Sequence, residues 1–281
     1  MAHAHVRLGR NLLRALRHAG AARSGAGRDA AIVVDTGGSP ALNEAWKIVG
    51  IPRFGGILVV SDHASNHVPA DIDLGIAPGL LDQHVAIDIG VAEVGALMAQ
   101  RPGIAAFQGG VSRLVCDFNR DEHLPTVVPI ASDGHAIPGN ALDHAGHEAR
   151  LARFFRPYHD ALGKLLADVP QALILSLHSF TPQLASSEEP RPWHVGVLYN
   201  EDDRAARIAI PLLQAEGLCV GDQLPYSGKL LNATMNRHAE ADGRPYLGIE
   251  VRQDLIGDGA GQVEWAERLS RIANQVAVAI T

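Results

Sequence analysis

Two histidines in this sequence stand where an apolar run gives way to polar residues. His63 follows the run at residues 57–60, and His178 follows the run at residues 173–177. Imidazole nitrogen is a preferred ligand of zinc, and catalytic zinc sites commonly combine three protein ligands with an open position for water. A histidine at a strand end can also be a structural residue held by hydrogen bonds. Because the arrangement occurs twice, we keep both interpretations open: a metal site shared by the two histidines, and two structural histidines.

A third segment carries arginines suited to binding an acid. Arg113 and Arg120 occur in SRLVCDFNR, residues 112–120, whose alternating residues predict a strand that leads into a polar turn. The planar guanidinium group can bind a carboxylate through two hydrogen bonds, so either arginine could hold an acidic substrate or polarise a carbonyl group. Ion pairs with Asp117 or Asp121 are the structural alternative.

A fourth segment places one carboxylate between apolar neighbours on a predicted strand. Glu250 occurs in YLGIEVRQD, residues 246–254. A half-buried glutamate must be paired, neutral or functional. It could act as a general base that takes a proton from an attacking water and passes it to a leaving nitrogen. A salt bridge to Arg252 is the alternative.

The elements that must position these residues alternate from about residue 44 onward. Short apolar runs predict buried strands at residues 57–60, 173–177 and 194–198. Helical patterns cover residues 82–100, 143–168, 203–217 and 262–280. This alternation predicts an α/β fold with a mostly parallel or mixed sheet flanked by helices. Ligands of such sheets bind at the carboxyl ends of the strands, and the loops at residues 182–192 and 221–228 are predicted pocket walls.

Composition excludes several classes of function. The 281 residues carry a formal net charge of -7, which argues against a nucleic-acid partner because such proteins need a basic surface. No uncharged apolar run reaches the roughly 18 residues needed to cross a membrane, so we expect no membrane partner. Cys116 and Cys219 are too few for a disulfide scaffold, which favours a cytoplasmic location.

The first residues of the chain differ from the rest. Residues 1–28 contain six arginines and no acidic residue. This composition is similar to that of a transit peptide, but the segment lacks the long apolar region of a secretory signal. We interpret residues 1–43 as an N-terminal extension that we expect to be flexible. Residues 44–281 are then predicted to form a single α/β domain, since a chain of this length can build one core.

Five segments taken together resemble the N-formylglutamate amidohydrolase family. In chain order they are SDHASNHVP, HVAIDIGV, SRLVCDFNR, LSLHSF and IEVRQDLI. The likeness covers residues 50 to 280, and the ending of SRLVCDFNR also resembles the substrate-binding motif of aspartoacylases and succinylglutamate desuccinylases. The resemblance implies a zinc-carboxypeptidase-like fold, which is of the phosphorylase/hydrolase-like kind. It also implies one bound zinc ion.

The resemblance further implies a role for each candidate residue by its position in a motif. The implied roles are His63 and His178 as zinc ligands, Asn119 and Arg120 as binders of a substrate carboxylate, Arg113 as polariser of the amide carbonyl, and Glu250 as the catalytic glutamate. The resemblance does not assign the third metal ligand.

The chain departs from the carboxypeptidase-like pattern at that third ligand. The pattern places a ligand glutamate three residues after its first histidine, where this chain has Asn66. Asp88, in HVAIDIGV, is the preferred replacement because carboxylate oxygen suits zinc. His67, His84 and Asp62 remain alternatives. Asp62 could instead support a ligand histidine from behind, although adjacent residues on a strand point apart.

These expectations combine into a metal-dependent amidohydrolase that acts on a linear amide. The expected reaction is zinc-dependent hydrolysis of the amide bond of an N-acyl amino acid, for example an N-formyl amino acid such as N-formylglutamate. The expected partner is therefore a small acidic acyl amino acid. A zinc carboxypeptidase or peptidoglycan amidase-like hydrolase is one alternative, because the same machinery could attack other amides. A noncatalytic binder of an acidic metabolite is another.

Overall fold

The computed structural model describes residues 44–187 and 189–280. The predicted extension at residues 1–43 lies outside this part of the chain, so its flexibility stays a prediction. None of the described helices is both long enough and apolar enough to cross a membrane.

Seven of the described strands form one mixed sheet, and two more form a small hairpin. In chain order the strands are β1 (Trp46–Val49), β2 (Ile57–Ser61), β3 (Ile104–Gly109), β4 (Ala131–Ser132), β5 (His135–Ala136), β6 (Leu173–Phe180), β7 (Val195–Leu198), β8 (Val220–Asp222) and β9 (Tyr246–Arg252). The order across the large sheet is β1-β3-β2-β6-β9-β7-β8, and β4 pairs with β5. Strands β3, β2, β6 and β9 are mutually parallel, so the predicted mostly parallel α/β sheet is confirmed.

Helices cover both faces of this sheet. The α-helices are α1 (Val91–Met98), α2 (His144–Arg150), α3 (Arg156–Asp168), α4 (Arg204–Ala215), α5 (Ala233–His238) and α6 (Gly259–Ile280), with a π-helical turn at Leu151–Phe155 joining α2 to α3. Helix α6 packs against α1 and α4. On the opposite face, Tyr158 of α3 packs edge-on against Phe107 of β3. All residues of β2 and β6 are buried, as expected of parallel strands covered on both faces.

The strand order reverses at β2, and this reversal positions the candidate site. Strand β3 follows β2 along the chain and pairs on one side of it, whereas β6 pairs on the other side. Such a reversal leaves a crevice at the carboxyl ends of the strands, where ligands bind. His63 lies two residues beyond the end of β2. His178 lies inside β6 and not in the loop after it, because residues 177–180 continue to pair with β9.

Two predicted elements differ in the structure. Residues 112–118 form tight turns and not the predicted strand, because the N–H groups of Val115 and Cys116 both donate to the carbonyl oxygen of Ser112. All of these residues except Arg113 are buried, so the alternation in the sequence did not reflect the two faces of a sheet. The helix predicted from residue 82 begins only at Val91, after a left-handed residue at Gly90 with φ 82°.

A buried histidine pair ties α3 to α5. His159 Nε2 lies 3.1 Å from the carbonyl oxygen of Phe118, and a carbonyl oxygen can only accept, so this nitrogen carries the hydrogen. His159 Nδ1 therefore accepts from His238 Nε2 at 2.9 Å. Burial lowers the pKa of His159 to about 3 and that of His238 to about 4, so both rings are neutral at neutral pH.

This pair predicts a loss of stability in mild acid. The unfolded chain protonates a histidine near pH 6.5, whereas the folded protein does not protonate these two until about pH 3 to 4. Between those limits the unfolded state binds more protons, so the free energy of unfolding falls as the pH falls, by about 1.4 kcal/mol per pH unit and histidine. His159→Gln, which keeps a donor for the carbonyl oxygen of Phe118, should reduce this slope by the contribution of one histidine, about 1.4 kcal/mol per pH unit. Urea unfolding at pH 4.5 to 8 measures the slope.

The matched control for this prediction is His135→Gln in the exposed strand β5. This variant should show the same dependence of the free energy of unfolding on pH as wild type. An unchanged slope in His159→Gln would show that the buried pair does not govern acid stability.

Candidate active site

Three buried side chains converge at the carboxyl ends of β2 and β6. His63 Nδ1 lies 3.2 Å from Asp88 Oδ2, and His178 Nδ1 lies 2.8 Å from the same oxygen. One ligand atom from each residue lies within 4.8 Å of the others. Asp88 is fixed there by its backbone N–H, which donates to the carbonyl oxygen of His63 at 3.0 Å. The structure therefore brings together the three predicted ligands as a group that could hold a metal ion.

The far nitrogen of each histidine faces a second carboxylate. His63 Nε2 is 2.7 Å from Asp117 Oδ1, and His178 Nε2 is 3.5 Å from Asp62 Oδ2. With a hydrogen on each Nε2, facing Asp117 and Asp62, both Nδ1 atoms can offer a lone pair beside the same oxygen of Asp88. Two imidazole nitrogens and one carboxylate oxygen at one buried point are a donor set that fits a metal ion.

The carboxylates around the two histidines also raise the pKa of each imidazole. Burial lowers the pKa of His178, but Asp62 and Asp88 more than reverse this effect and raise that pKa well above its ordinary value. The pKa of His63 is likewise raised, because Asp117 and Asp88 outweigh burial. A proton and a metal ion compete for the same Nδ1 atoms, since only a neutral imidazole binds metal.

Asp62 is held in place by a tyrosine that the sequence did not indicate. The hydroxyl of Tyr158 donates to Asp62 Oδ1 at 2.6 Å, and its ring stacks on Phe118 with centroids 4.1 Å apart. Asp62 faces His178 and not the adjacent His63. Tyr158 lies in a helix 96 residues from Asp62, and no local pattern connects the two.

Arg113 bridges the carboxylate of Asp88 and that of Asp117, which lies behind His63. Its Nη1 donates to Asp88 Oδ1 at 3.2 Å and its Nη2 donates to Asp117 Oδ2 at 3.0 Å. The ion pair with Asp117, given above as the structural alternative, is therefore present and extends to Asp88. Because each terminal nitrogen has a second hydrogen and the side chain is 22% exposed, Arg113 can also face a substrate. Its role as polariser of a carbonyl group stays a prediction.

Asn119 and Arg120 lie at the border between this cluster and a larger cavity. Asn119 is fixed by two backbone contacts, since its N–H donates to Asp117 and its side-chain oxygen accepts from the N–H of Thr234. Arg120 Nε is 3.7 Å from Asp117 Oδ2, a loose ion pair, and its Nη1 donates to the carbonyl oxygen of Asn119 at 3.3 Å, so Nη2 and one hydrogen of Nη1 remain free among the described residues. Both residues line a cavity of about 820 Å³ whose walls include Leu230. His63, Asp88, His178 and Glu250 are not among the residues that line that cavity.

Glu250 lies beside His178 because of the strand register. It is the partner of His178 across the β6–β9 pair. Its Oε2 is buried and has no hydrogen-bond partner among the described residues. Arg252 pairs with Asp254 at 2.7 Å, so the alternative salt bridge to Glu250 is not formed. Burial raises the pKa of Glu250 to about 7 against the opposing charge of His178, which suits a group that both accepts and donates protons.

The other candidate ligands lie outside this cluster. His67 is exposed, and His84 Nε2 lies 2.9 Å from Asp133 Oδ2. Asn66, which occupies the position of the expected ligand glutamate, donates to Asp82 at 3.0 Å. The side chain of Asp88 therefore takes the third position in the cluster that these residues leave open.

The support of His178 by Asp62 predicts a measurable effect on metal affinity. Asp62→Asn should weaken metal binding by about 10- to 100-fold, because a carboxylate behind a ligand histidine fixes its tautomer and raises its basicity. Tyr158→Phe should act in the same direction but less strongly, since it leaves the carboxylate in place. Competition with a chromophoric chelator measures both. The control is Asp168→Asn, an exposed partner of Lys164. Unchanged affinity in Asp62→Asn would contradict this role.

Comparison with known proteins identifies the family. The family model described as N-formylglutamate amidohydrolase matches residues 55–257. The crystal structure of a gene product of Agrobacterium tumefaciens is similar to this chain, with 29% sequence identity and a TM-score of 0.78. The match covers 84% of this chain and 96% of that chain. A solved N-formylglutamate amidohydrolase of Ralstonia eutropha JMP134 is 20% identical, with TM-score 0.64, 84% and 98% covered, and shares the fold. No curated protein matches the sequence significantly. The chain belongs to the N-formylglutamate amidohydrolase family.

Proposed function

We propose that this protein is a zinc-dependent amidohydrolase that removes the acyl group from a small acidic N-acyl amino acid, with N-formylglutamate as the reference substrate. The observation that carries the proposal is the position of Glu250. A buried carboxyl group with a free oxygen stands beside a cluster of two imidazoles and one carboxylate that fits a metal ion. The family supplies the reaction class, which is hydrolysis of an amide.

His63, Asp88 and His178 would hold the ion, with Asp117 and Asp62 orienting the two imidazoles from behind. Zinc suits two neutral nitrogens and one carboxylate oxygen, and when bound it would polarise the amide carbonyl and lower the pKa of water.

Glu250 would move the proton that the reaction requires. Its free Oε2 takes a proton from the attacking water, whose oxygen forms a bond to the carbonyl carbon. Oε2 of Glu250 then donates that proton to the amide nitrogen as the carbon–nitrogen bond breaks. The products are a carboxylic acid, formate in the reference case, and the free amino acid. A carboxyl group with a pKa near 7 can accept and donate at neutral pH.

Asn119 and Arg120 would hold the carboxylate of the amino acid. Arg120 offers free guanidinium donors at the edge of the cluster, and a guanidinium binds a carboxylate through two hydrogen bonds. Anchoring the carboxylate positions the amide relative to Glu250, and such positioning supplies part of the rate acceleration. Arg113 would face the carbonyl oxygen with the hydrogens that its ion pairs leave free.

The test is release of formate from N-formylglutamate by metal-free and zinc-reconstituted protein. We expect turnover only after zinc is restored, and we expect N-formylglutamate to be cleaved faster than the corresponding amide without a carboxylate. Equal turnover by metal-free protein would refute the metal-dependent mechanism. Turnover that is insensitive to the substrate carboxylate would refute the role of Arg120.

A peptide-directed amidase is the second candidate, and one observation favours it. The cavity of about 820 Å³ beside Asn119 and Arg120 has room for more than one amino-acid side chain. Preferential cleavage of N-acyl peptides or peptidoglycan fragments over N-formylglutamate would establish this alternative. A noncatalytic binder of an acidic metabolite would not need a buried carboxyl group with a free oxygen beside its metal ligands.

A further inference from the structure

An arginine and a tyrosine from two loops outside the sequence motifs contact each other. Arg191 Nη1 donates to the hydroxyl oxygen of Tyr226 at 2.9 Å, and the guanidinium carbon lies 4.9 Å from the ring centroid. Arg191 also reaches the carbonyl oxygen of Thr181, directly after β6, at 3.4 Å. Both side chains are partly exposed. Within residues 44–187 and 189–280, Arg191 forms no ion pair with a carboxylate, so its charge is available to a ligand.

Two glycines bring this loop to the side of Glu250. Gly196 of β7 is the strand partner of Glu250, and a Cβ atom at Gly196 would lie 3.4 Å from the Cβ of Glu250. The same position would be only 2.4 Å from the carbonyl oxygen of Leu224, and a Cβ at Gly221 would be 2.3 Å from that oxygen. The absence of both side chains allows the backbone at Leu224 to cross the sheet face next to Glu250. Tyr226 follows two residues later.

The charges around Tyr226 agree with this placement. Burial is the largest effect and raises the pKa of the Tyr226 hydroxyl. The negative charge of Glu250 raises it further, whereas the positive charges of Arg191 and Arg113 lower it. The phenol therefore lies within the electrostatic reach of both the proposed base and the arginine behind the metal ligands.

The hydrogen of the Tyr226 hydroxyl is free to be donated. Because Arg191 can only donate, the tyrosine oxygen is the acceptor in their contact, and its own O–H points to another partner. No acceptor for this O–H occurs among the described residues. Arg113 already donates one hydrogen from each terminal nitrogen to Asp88 and Asp117. The Tyr226 O–H is thus available as a second donor beside the hydrogens that Arg113 retains.

We propose that Tyr226, positioned by Arg191, is a further catalytic residue that donates a hydrogen bond to the amide carbonyl oxygen as that oxygen becomes the tetrahedral oxyanion. The proposal rests on the proposed function for the identity of the reacting group. No proton is transferred, because the O–H stabilises developing charge and returns unchanged after the carbon–nitrogen bond breaks. Removal of one such donor from an enzyme typically lowers kcat by about 10²–10³-fold.

The first test is Tyr226→Phe in zinc-loaded protein with N-formylglutamate. We expect kcat to fall by about 10²-fold with KM changed less than about threefold, since the donor acts on charge that exists only in the transition state. Tyr199→Phe is a matched control, because Tyr199 also accepts from an arginine, Arg207 at 2.7 Å, under a similar ring contact away from the site. A kcat/KM of Tyr226→Phe within twofold of wild type overturns the proposal. A rise in KM alone also overturns it.

A binding measurement makes the proposal independent of turnover. The probe is a phosphinate analogue of N-acetylglutamate, which carries an anionic tetrahedral centre in place of the amide. Calorimetry should show that Tyr226→Phe weakens binding of this probe by about the same factor as kcat/KM, with product glutamate bound equally well. If wild type cleaves no acyl amino acid, the proposed function fails. Equal affinity of wild type and Tyr226→Phe for the probe instead overturns the role of Tyr226.

The positioning role of Arg191 is tested by a double-mutant cycle. Arg191→Met should lower kcat toward the level of Tyr226→Phe, and the double variant should lose little more, because the two residues act as a unit. Arg191→Lys keeps the charge but not the planar guanidinium, so we expect it to restore only part of the activity. Additive losses in the double variant would overturn the assignment of Arg191 as the positioning residue.

Discussion

Replacement of Glu250 by glutamine should lower kcat by about 10²–10⁴-fold, the range typical of a lost general acid–base group. Glutamine keeps the size of the side chain but cannot accept the proton of the attacking water. The buried Oε2 of Glu250 has no partner among the described residues, so the substitution breaks no hydrogen bond on that atom. Zinc content, measured by mass spectrometry, and the thermal unfolding midpoint should therefore stay close to wild type.

The pH profile gives a second view of the same residue. The base must be ionised, so kcat/KM should fall as the pH falls through the pKa of Glu250, which burial raises to about 7. A bound cation favours the carboxylate, so the limb should lie at or below that pH. Glu250→Gln should lose this acid limb, whereas the exposed variant Glu267→Gln should keep it together with full activity. A loss in kcat of less than tenfold in Glu250→Gln would exclude the general-base role.

Replacement of His178 by asparagine should weaken zinc binding more than 100-fold, beyond the 10- to 100-fold cost of losing a residue that only supports a ligand. The substitution removes one of three ligand atoms and leaves the carboxylates of Asp88 and Asp62 without their shared partner. Activity should fall in parallel and should not be recovered at moderate zinc concentrations. Chelator competition and metal analysis measure the affinity, and circular dichroism verifies the fold.

The matched control for this substitution is His84→Asn. His84 also contacts a carboxylate, that of Asp133 at 2.9 Å, and lies in one of the family motifs. Because it is not part of the cluster, its replacement should leave zinc binding unchanged. Stoichiometric zinc in purified His178→Asn, or loss of zinc in His84→Asn, would contradict the ligand assignment.

Local sequence patterns predicted the features of the site that depend on short stretches of chain. The apolar runs before His63 and His178 are fully buried strands, and the pairing of parallel strands brings both histidines to one edge. The alternation around Glu250 likewise corresponds to a strand. These predictions succeeded because strand burial and side-chain direction follow from neighbouring residues.

Contacts between distant segments were not predictable in the same way. The segment around Arg113 was interpreted as a strand, yet it forms turns whose residues contact α2 and α3 through Arg150 and Tyr158. Tyr158 supports Asp62 from a helix 96 residues away, and the backbone at Leu224 passes beside Glu250 only because Gly196 leaves room for the chain. Such partners depend on strand order and loop paths, which no single segment of the sequence records.

The wide spacing of the cluster along the chain gives a bound ion a second physical effect. Asp88 lies 25 residues from His63 and 90 residues from His178, so the three ligand atoms meet only when β6 has paired with β2. Both cysteines of the protein are free. A bound ion at this position would link distant segments of the chain, as a disulfide bond does in other proteins, and would close two long loops. Because the ion would bind the folded state, its binding would raise the free energy of unfolding of the whole sheet.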